Sequence, residues 1–199
     1  KATVDGLSSE VKKDTKITGG GNLILGSESF KNAALRGSGT VEYNDNGSAT
    51  VTNSNSLKGF DFNTTRTRIV NGVTLCISVM YKQVSGKDAF YLDINYSHAN
   101  GSKYYTSIKP ADQIKIEQSD GWVLRYGTWT PKDNYILTGV SFGLRSGSVT
   151  NKYMALHPML QYGNAPTAWN ASSGDYLTQE SAKSLFSQTA DEIKTEVTK

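Results

Sequence analysis

Asn44-Asp45-Asn46-Gly47 separates two short segments, Thr40-Val41-Glu42-Tyr43 and Ser48-Ala49-Thr50-Val51, whose side chains alternate between apolar and polar. Asn-Gly at such a junction is the strongest short-range sign of a β-hairpin, because the tight turn that suits strand twist needs φ > 0 at both central residues. The pattern continues on either side of it. Leu23-Ile24-Leu25 precedes the hairpin, and further strand-like segments run from Leu75 to Tyr81, Phe90 to Tyr96, Lys103 to Ile108 and Gln113 to Gln118. Three more follow, from Trp122 to Thr130, Ile136 to Leu144 and Lys152 to Gln161. The turns between them carry Ser-Gly-Lys-Asp at 85–88, Asn100-Gly101, Ser-Asp-Gly at 119–121 and Pro-Lys-Asp-Asn at 131–134, residues suited to reversing the chain.

Alternation assigns faces to these strands. Leu75, Ile77, Val79 and Tyr81 form one apolar row, backed by Cys76, Ser78 and Met80. Phe90, Leu92, Ile94 and Tyr96 form a second, with Tyr91, Asp93 and Asn95 on its reverse. Ile136, Val140, Phe142 and Leu144 form a third, backed by Gly139, Ser141, Gly143 and Arg145. Three such rows can seal the space between two sheets ~10 Å apart. An all-β, antiparallel β-sandwich over residues 22–170 is therefore expected.

The flanks differ. Residues 1–21 are polar, with Val4, Leu7 and Val11 spaced for a short helix that Gly19-Gly20-Gly21 ends. In residues 171–199 the apolar period changes to about 3.6, with Ala182, Leu185, Phe186, Ala190, Ile193 and Val197 in one stripe. This helix needs a partner, either the sandwich or copies of itself in a homo-oligomer. Both ends read as cut from a longer polypeptide.

Several functions are disfavoured. The net charge of +3 is spread without a basic cluster, which argues against nucleic acid as a main partner. No apolar run is long enough for a membrane-spanning helix, so membrane insertion is not expected. Cys76 is the single cysteine and reads as a small buried hydrophobe; with only His98 and His157 besides, a Cys- or His-built zinc site is not expected. The loop at 44–47 lacks the twelve-residue calcium pattern, so no metal or cofactor is indicated, and a single structural Ca2+ would leave no signature. Nucleophile-elbow, phosphate-loop and zinc-protease motifs are absent, so the chain reads as a non-enzyme.

What stands out is 11 Tyr, 3 Trp and 6 Phe in a hydrophilic chain. Tyr91, Tyr104, Tyr105, Tyr126 and Trp129 sit beside polar residues. A sugar ring offers an apolar face and a rim of hydroxyls, matched by an aromatic plate and a few amide, carboxylate or guanidinium groups. The candidate saccharide residues are Tyr91 with Tyr126 or Trp129 as plates, and Asp93, Asn95 and Arg125 for the hydroxyls. Trp129 shares a face with Val123 and Arg125; burial of Val123 would make Trp129 core and Tyr126 the better plate.

The stretch His157-Pro158-Met159-Leu160-Gln161-Tyr162-Gly163-Asn164-Ala165-Pro166-Thr167-Ala168-Trp169 resembles the closing segment of jelly-roll modules in phage tail proteins. Gly21-Asn22-Leu23-Ile24-Leu25 resembles their first strand, Asp120-Gly121-Trp122 with Thr128-Trp129-Thr130 a middle strand, and Phe186 to Val197 a helix of tail-fibre and baseplate proteins. The resemblance implies a jelly-roll carbohydrate-binding module on the extracellular side of a virion tail. Its partners would be host cell-wall polysaccharide and other tail or baseplate subunits, and Trp122 and Trp169 would be structural. A structural spacer or oligomerisation module is the alternative, and a polysaccharide depolymerase a further one.

Overall fold

The computed structural model describes residues 21–53, 58–65, 67–145 and 150–172. The strands are β1 Ala34–Gly37, β2 Thr40–Tyr43, β3 Ala49–Asn53, β4 Lys58–Asn63, β5 Arg68–Ile69 and β6 Leu75–Ser85. They continue as β7 Phe90–Ser97, β8 Lys103–Ile108, β9 Ile114–Glu117, β10 Val123–Trp129, β11 Tyr135–Leu144 and β12 Asn151–Tyr162. Two antiparallel six-stranded sheets result. The first has the order β1-β4-β11-β7-β8, with β5 also paired to β11; the second has the order β2-β3-β12-β6-β10-β9. The expected helical flanks, residues 1–21 and 171–199, lie outside the described residues except for Gly21, Ala171 and Ser172, which are not helical.

The apolar rows meet between the sheets. Leu75, Ile77, Val79 and Tyr81 on β6 face Phe90, Leu92 and Ile94 on β7, all buried. Burying each such side chain contributes about 1.5–3 kcal/mol. Edge-to-face ring pairs fill one region, with Phe30 at 4.7 Å from Phe60 and 5.3 Å from Phe62. Tyr81 and Tyr153 stack at 5.7 Å in another.

The third row needs a correction. A β-bulge between Leu137 and Gly139 breaks the alternation on β11, so Leu137 is the fully buried residue and Ile136 is only half-buried. One extra residue in a strand exchanges the faces of everything before it.

Three strands have no counterpart among the sequence-based segments: β1, β4 and β5. Lys58-Gly59-Phe60-Asp61-Phe62-Asn63 is an interior strand, flanked by β1 and β11. Leu23-Ile24-Leu25, expected as a strand, makes only an isolated bridge from Ile24 to Thr64. The β2–β3 hairpin forms as expected, with Tyr43 opposite Ala49, but only Gly47 takes a positive φ, of 82°. Asn46 instead accepts hydrogen bonds from the Ser48 N–H and hydroxyl, closing the loop through its side chain.

The first and last described segments are pinned together. The Asn22 amide donates to the Pro158 and Asn170 carbonyls and accepts from the Leu160 N–H. Trp169 stacks on His157 at 4.3 Å and donates its indole N–H to the Pro158 carbonyl, a structural use of that tryptophan. Burial lowers the His157 pKa below its usual value.

Candidate functional site

The register of the first sheet aligns its solvent-facing residues. Asp61 on β4, Ser141 on β11, Asp93 on β7 and Ser107 on β8 are successive cross-strand neighbours. One row away lie Arg36, Gly59, Gly143 and Tyr91, and on the other side Asn63, Gly139, Asn95 and Tyr105. Alternation across the pleat puts all of them on the face opposite the core.

Gly59 and Gly143 lie side by side on this face, and both are buried. A Cβ on Gly59 would lie 2.6 Å from the Phe142 carbonyl oxygen, and one on Gly143 would lie 2.6 Å from that of Lys58. The two strands are packed too closely here for side chains, and a shallow groove runs along the same face. A depression of about 360 Å³ is lined by Arg36, Asp93, Asn95, Tyr105 and Arg145. A neighbouring one shares Asn95 and extends past Asp61, Asn63 and Gly139 to Lys103.

The polar groups of this groove are wired to each other. Asp93, only 2% exposed, accepts from the Ser107 hydroxyl at 2.6 Å on one carboxylate oxygen and from the Arg145 guanidinium on the other. Arg36 spans Asp61 and Asp93, at 3.5 and 3.9 Å. The Asn95 amide donates to the Ser141 hydroxyl at 2.9 Å. Arg145 lies over the ring of Tyr91, 4.7 Å from its centre, and 5.5 Å from that of Tyr105. Hydrogen-bonding groups and aromatic surface are thus held in fixed positions by partners within the groove. Asn95 and Asp61 stay partly exposed and Tyr105 is 59% exposed, so all three are within reach of a ligand.

Of the residues singled out in the sequence, the structure brings Tyr91, Asp93 and Asn95 together in this groove. It does not bring the other three. Arg125 was expected on a solvent-facing strand surface, but its cross-strand neighbour is Val79 and its guanidinium points inward, over the buried Tyr81 ring at 3.9 Å. It holds Asp88 through two bonds of 2.7 and 2.9 Å, with Lys115 on the same carboxylate at 2.7 Å. Burial raises the Asp88 pKa, but the hydrogen bonds and charges of Arg125 and Lys115 outweigh it and hold the carboxyl below its usual value. A charge with this many partners can point into a core, which alternation alone cannot reveal.

Trp129 also faces inward, opposite Leu75, and stacks on Tyr96 at 4.7 Å beside Tyr135. Its ring face is therefore occupied. Tyr126 does point outward, but from the second sheet, between Ser78 and Ile114. His98 packs edge-on against Tyr104 and Tyr135.

Arg36, Asp61, Tyr105, Ser107, Ser141 and Arg145 complete the groove. Ser141 and Arg145 were legible as the reverse of an apolar row, whereas Arg36 and Asp61 lie on strands that the sequence pattern did not show. Among the described residues no cluster of three His, Cys, Asp or Glu side chains is arranged to hold a metal ion.

No protein-family model matches the chain, and no curated protein matches it. Solved structures do. The CBM22-1 and GH10 modules of Clostridium thermocellum endo-1,4-beta-D-xylanase 10B, complexed with xylohexaose, match 76% of this chain and 30% of that one, with 16% identity and a TM-score of 0.51. A family 16 carbohydrate-binding module matches 70% of this chain and 99% of its own, with 12% identity and a TM-score of 0.45. The enzymatically active domain of a bacteriophage CBA120 tailspike matches 70% of this chain and 20% of its own, with 13% identity and a TM-score of 0.45. At these identities the likeness is one of fold alone: the chain is an antiparallel β-sandwich.

Proposed function

We propose that the groove on the outer face of the first sheet binds a polysaccharide chain without cleaving it. The observation that carries this reading is the groove in which Tyr91 and Tyr105 flank Asn95, Arg36 and Arg145, the two arginines held by the buried Asp93. The tyrosines offer a sugar ring apolar surface, and the amide, carboxylate and guanidinium groups meet its hydroxyls. Glycoside hydrolysis by the usual route needs two carboxyl groups free to act on the scissile bond. In this groove both oxygens of Asp93 are already engaged and Asp61 faces Arg36, which supports binding rather than catalysis.

The resemblance of residues 157–169 to phage tail modules supports host cell-wall saccharide as the ligand and adsorption as the occasion. A single aromatic contact contributes about 1 kcal/mol, so one groove binds weakly, near millimolar, and firm attachment takes several copies.

The test is titration of the purified chain with extracted cell-wall polysaccharide, alongside a reducing-sugar assay. Binding that is lost in Asn95→Ala and Tyr105→Ala, and kept in Tyr126→Ala, is the expected result. Undiminished binding in both groove variants would move the site elsewhere, and release of reducing ends would make the chain a depolymerase.

A further inference from the structure

The edge of the second sheet carries a feature that the groove does not use. Strand β9, Ile114-Lys115-Ile116-Glu117, pairs with β10 on one side and, among the described residues, with no strand on the other. All four of its residues are exposed. It also stands clear of the first sheet. Ile108 at the end of β8 packs onto Gly127 of β10, where a Cβ would lie 2.5 Å from it, so the first sheet ends above β10 and β9 projects beyond.

An apolar row runs out to this edge. Leu156, Met80, Leu124 and Ile116 are successive neighbours across β12, β6, β10 and β9 on the outer face, with Tyr126 and Ile114 in the next row. Ile114 and Ile116 are 52% and 44% exposed. Isolated edge strands are usually protected against pairing by charge. Here the charges alternate in sign, Lys115 then Glu117, and that order is self-complementary.

We propose that β9 pairs antiparallel with β9 of a second copy, about a two-fold axis at Ile116. Continuing the sheet with its faces preserved allows few registers. Centring on Lys115 or on Glu117 sets like charges opposite each other, which is unfavourable. Centring on Ile116 sets Lys115 opposite the second copy's Glu117 twice over and Ile116 against its own copy. The apolar row then crosses the junction unbroken. Lys115 already holds Asp88 with one N–H; its side chain is 40% exposed, and its ammonium has other N–H groups to give.

The axis of such a pair stands perpendicular to the sheet, so the outer faces of the two first sheets look the same way. Two grooves would then meet one surface together. This last consequence rests on the saccharide reading; the pairing itself does not.

The experiment is sedimentation equilibrium of the full chain as wild type, Glu117→Lys, Lys115→Glu and an equimolar mixture of the two variants. Folding is checked by circular dichroism. The wild type is expected to dimerise, each variant alone to self-associate about tenfold or more weakly, and the mixture to form a heterodimer. In the mixture every cross-strand pair is again Lys with Glu. A monomeric wild type, a Glu117→Lys variant that dimerises as the wild type does, or a mixture that stays monomeric would each overturn the pairing. Binding then separates the two readings. A soluble oligosaccharide should bind wild type and Glu117→Lys equally, while immobilised polysaccharide should retain the wild type longer. Dimerisation without any saccharide binding would leave the pairing standing and remove the saccharide reading.

Discussion

Arg145, the residue after the end of β11, closes an ion pair onto Asp93 in the middle of β7, with the ring of Tyr91 beneath its guanidinium. The pair joins neighbouring strands at the bottom of the groove, and Asp93 is almost fully buried. Removing the arginine leaves a buried carboxylate with the Ser107 hydroxyl and a more distant Arg36. Arg145→Ala is expected to cost about 2–3 kcal/mol in denaturant unfolding and to abolish saccharide binding. Arg145→Lys keeps the charge but not the planar surface over Tyr91, so stability should recover further than binding does.

The close approach of β4 and β11 is the second place to probe. Gly59→Ala and Gly143→Ala each force a methyl group against a carbonyl oxygen of the adjacent strand. Each is expected to destabilise the fold by roughly 1–3 kcal/mol through displaced strands. Loss of binding should exceed what partial unfolding explains, measurable by titration well below the melting temperature.

Arg125 should behave in the opposite way. It faces the core from β10, and its partners Tyr81, Asp88 and Gln113 do not line the groove. Arg125→Met is expected to destabilise by roughly 3 kcal/mol, because Asp88 loses a two-pronged partner. Saccharide affinity of the folded protein should not change. A selective loss of affinity would return Arg125 to the binding site.

Mild acid should loosen the seam between the first and last described segments. Burial holds the His157 pKa below 6.5 in the folded state, so above that value the imidazole is neutral both folded and unfolded. As the pH falls from 6.5 toward the lower folded value, the unfolded chain takes up the proton first and stability declines, levelling off below. Thermal melts between pH 8 and 5 should show this decline. His157→Asn, which accepts the positive φ of 56° better than most residues, should lose that part of the slope whatever its effect on absolute stability.

Strand existence was legible wherever the period of two was strong, as in β6, β7 and β10, because a half-buried strand must alternate to satisfy a core on one side and water on the other. It failed on β4, where Lys58-Gly59-Phe60-Asp61-Phe62-Asn63 does alternate but is short, and is preceded by a polar stretch that hides it. Part of the candidate site was legible for the same reason: Tyr91, Asp93 and Asn95 are the reverse of one evident apolar row, Ser141 and Arg145 of another, and alternation puts each set on one face unaided. Arg36 and Asp61 could not be added, since their strands were unseen.

The sequence by itself determined the all-β class, the main strands and the outward face of β7, all of which depend on residues close together in the chain. The tertiary structure alone decided that β11 lies between β4 and β7, so that Asp61, Ser141 and Asp93 become neighbours. It alone sent Arg125 inward, because only the fold brings Asp88 and Tyr81 close enough to repay the burial of a charge. Local periodicity says which side of a strand faces water; which strands stand side by side, and which charges meet, is settled by contacts between residues far apart in the chain.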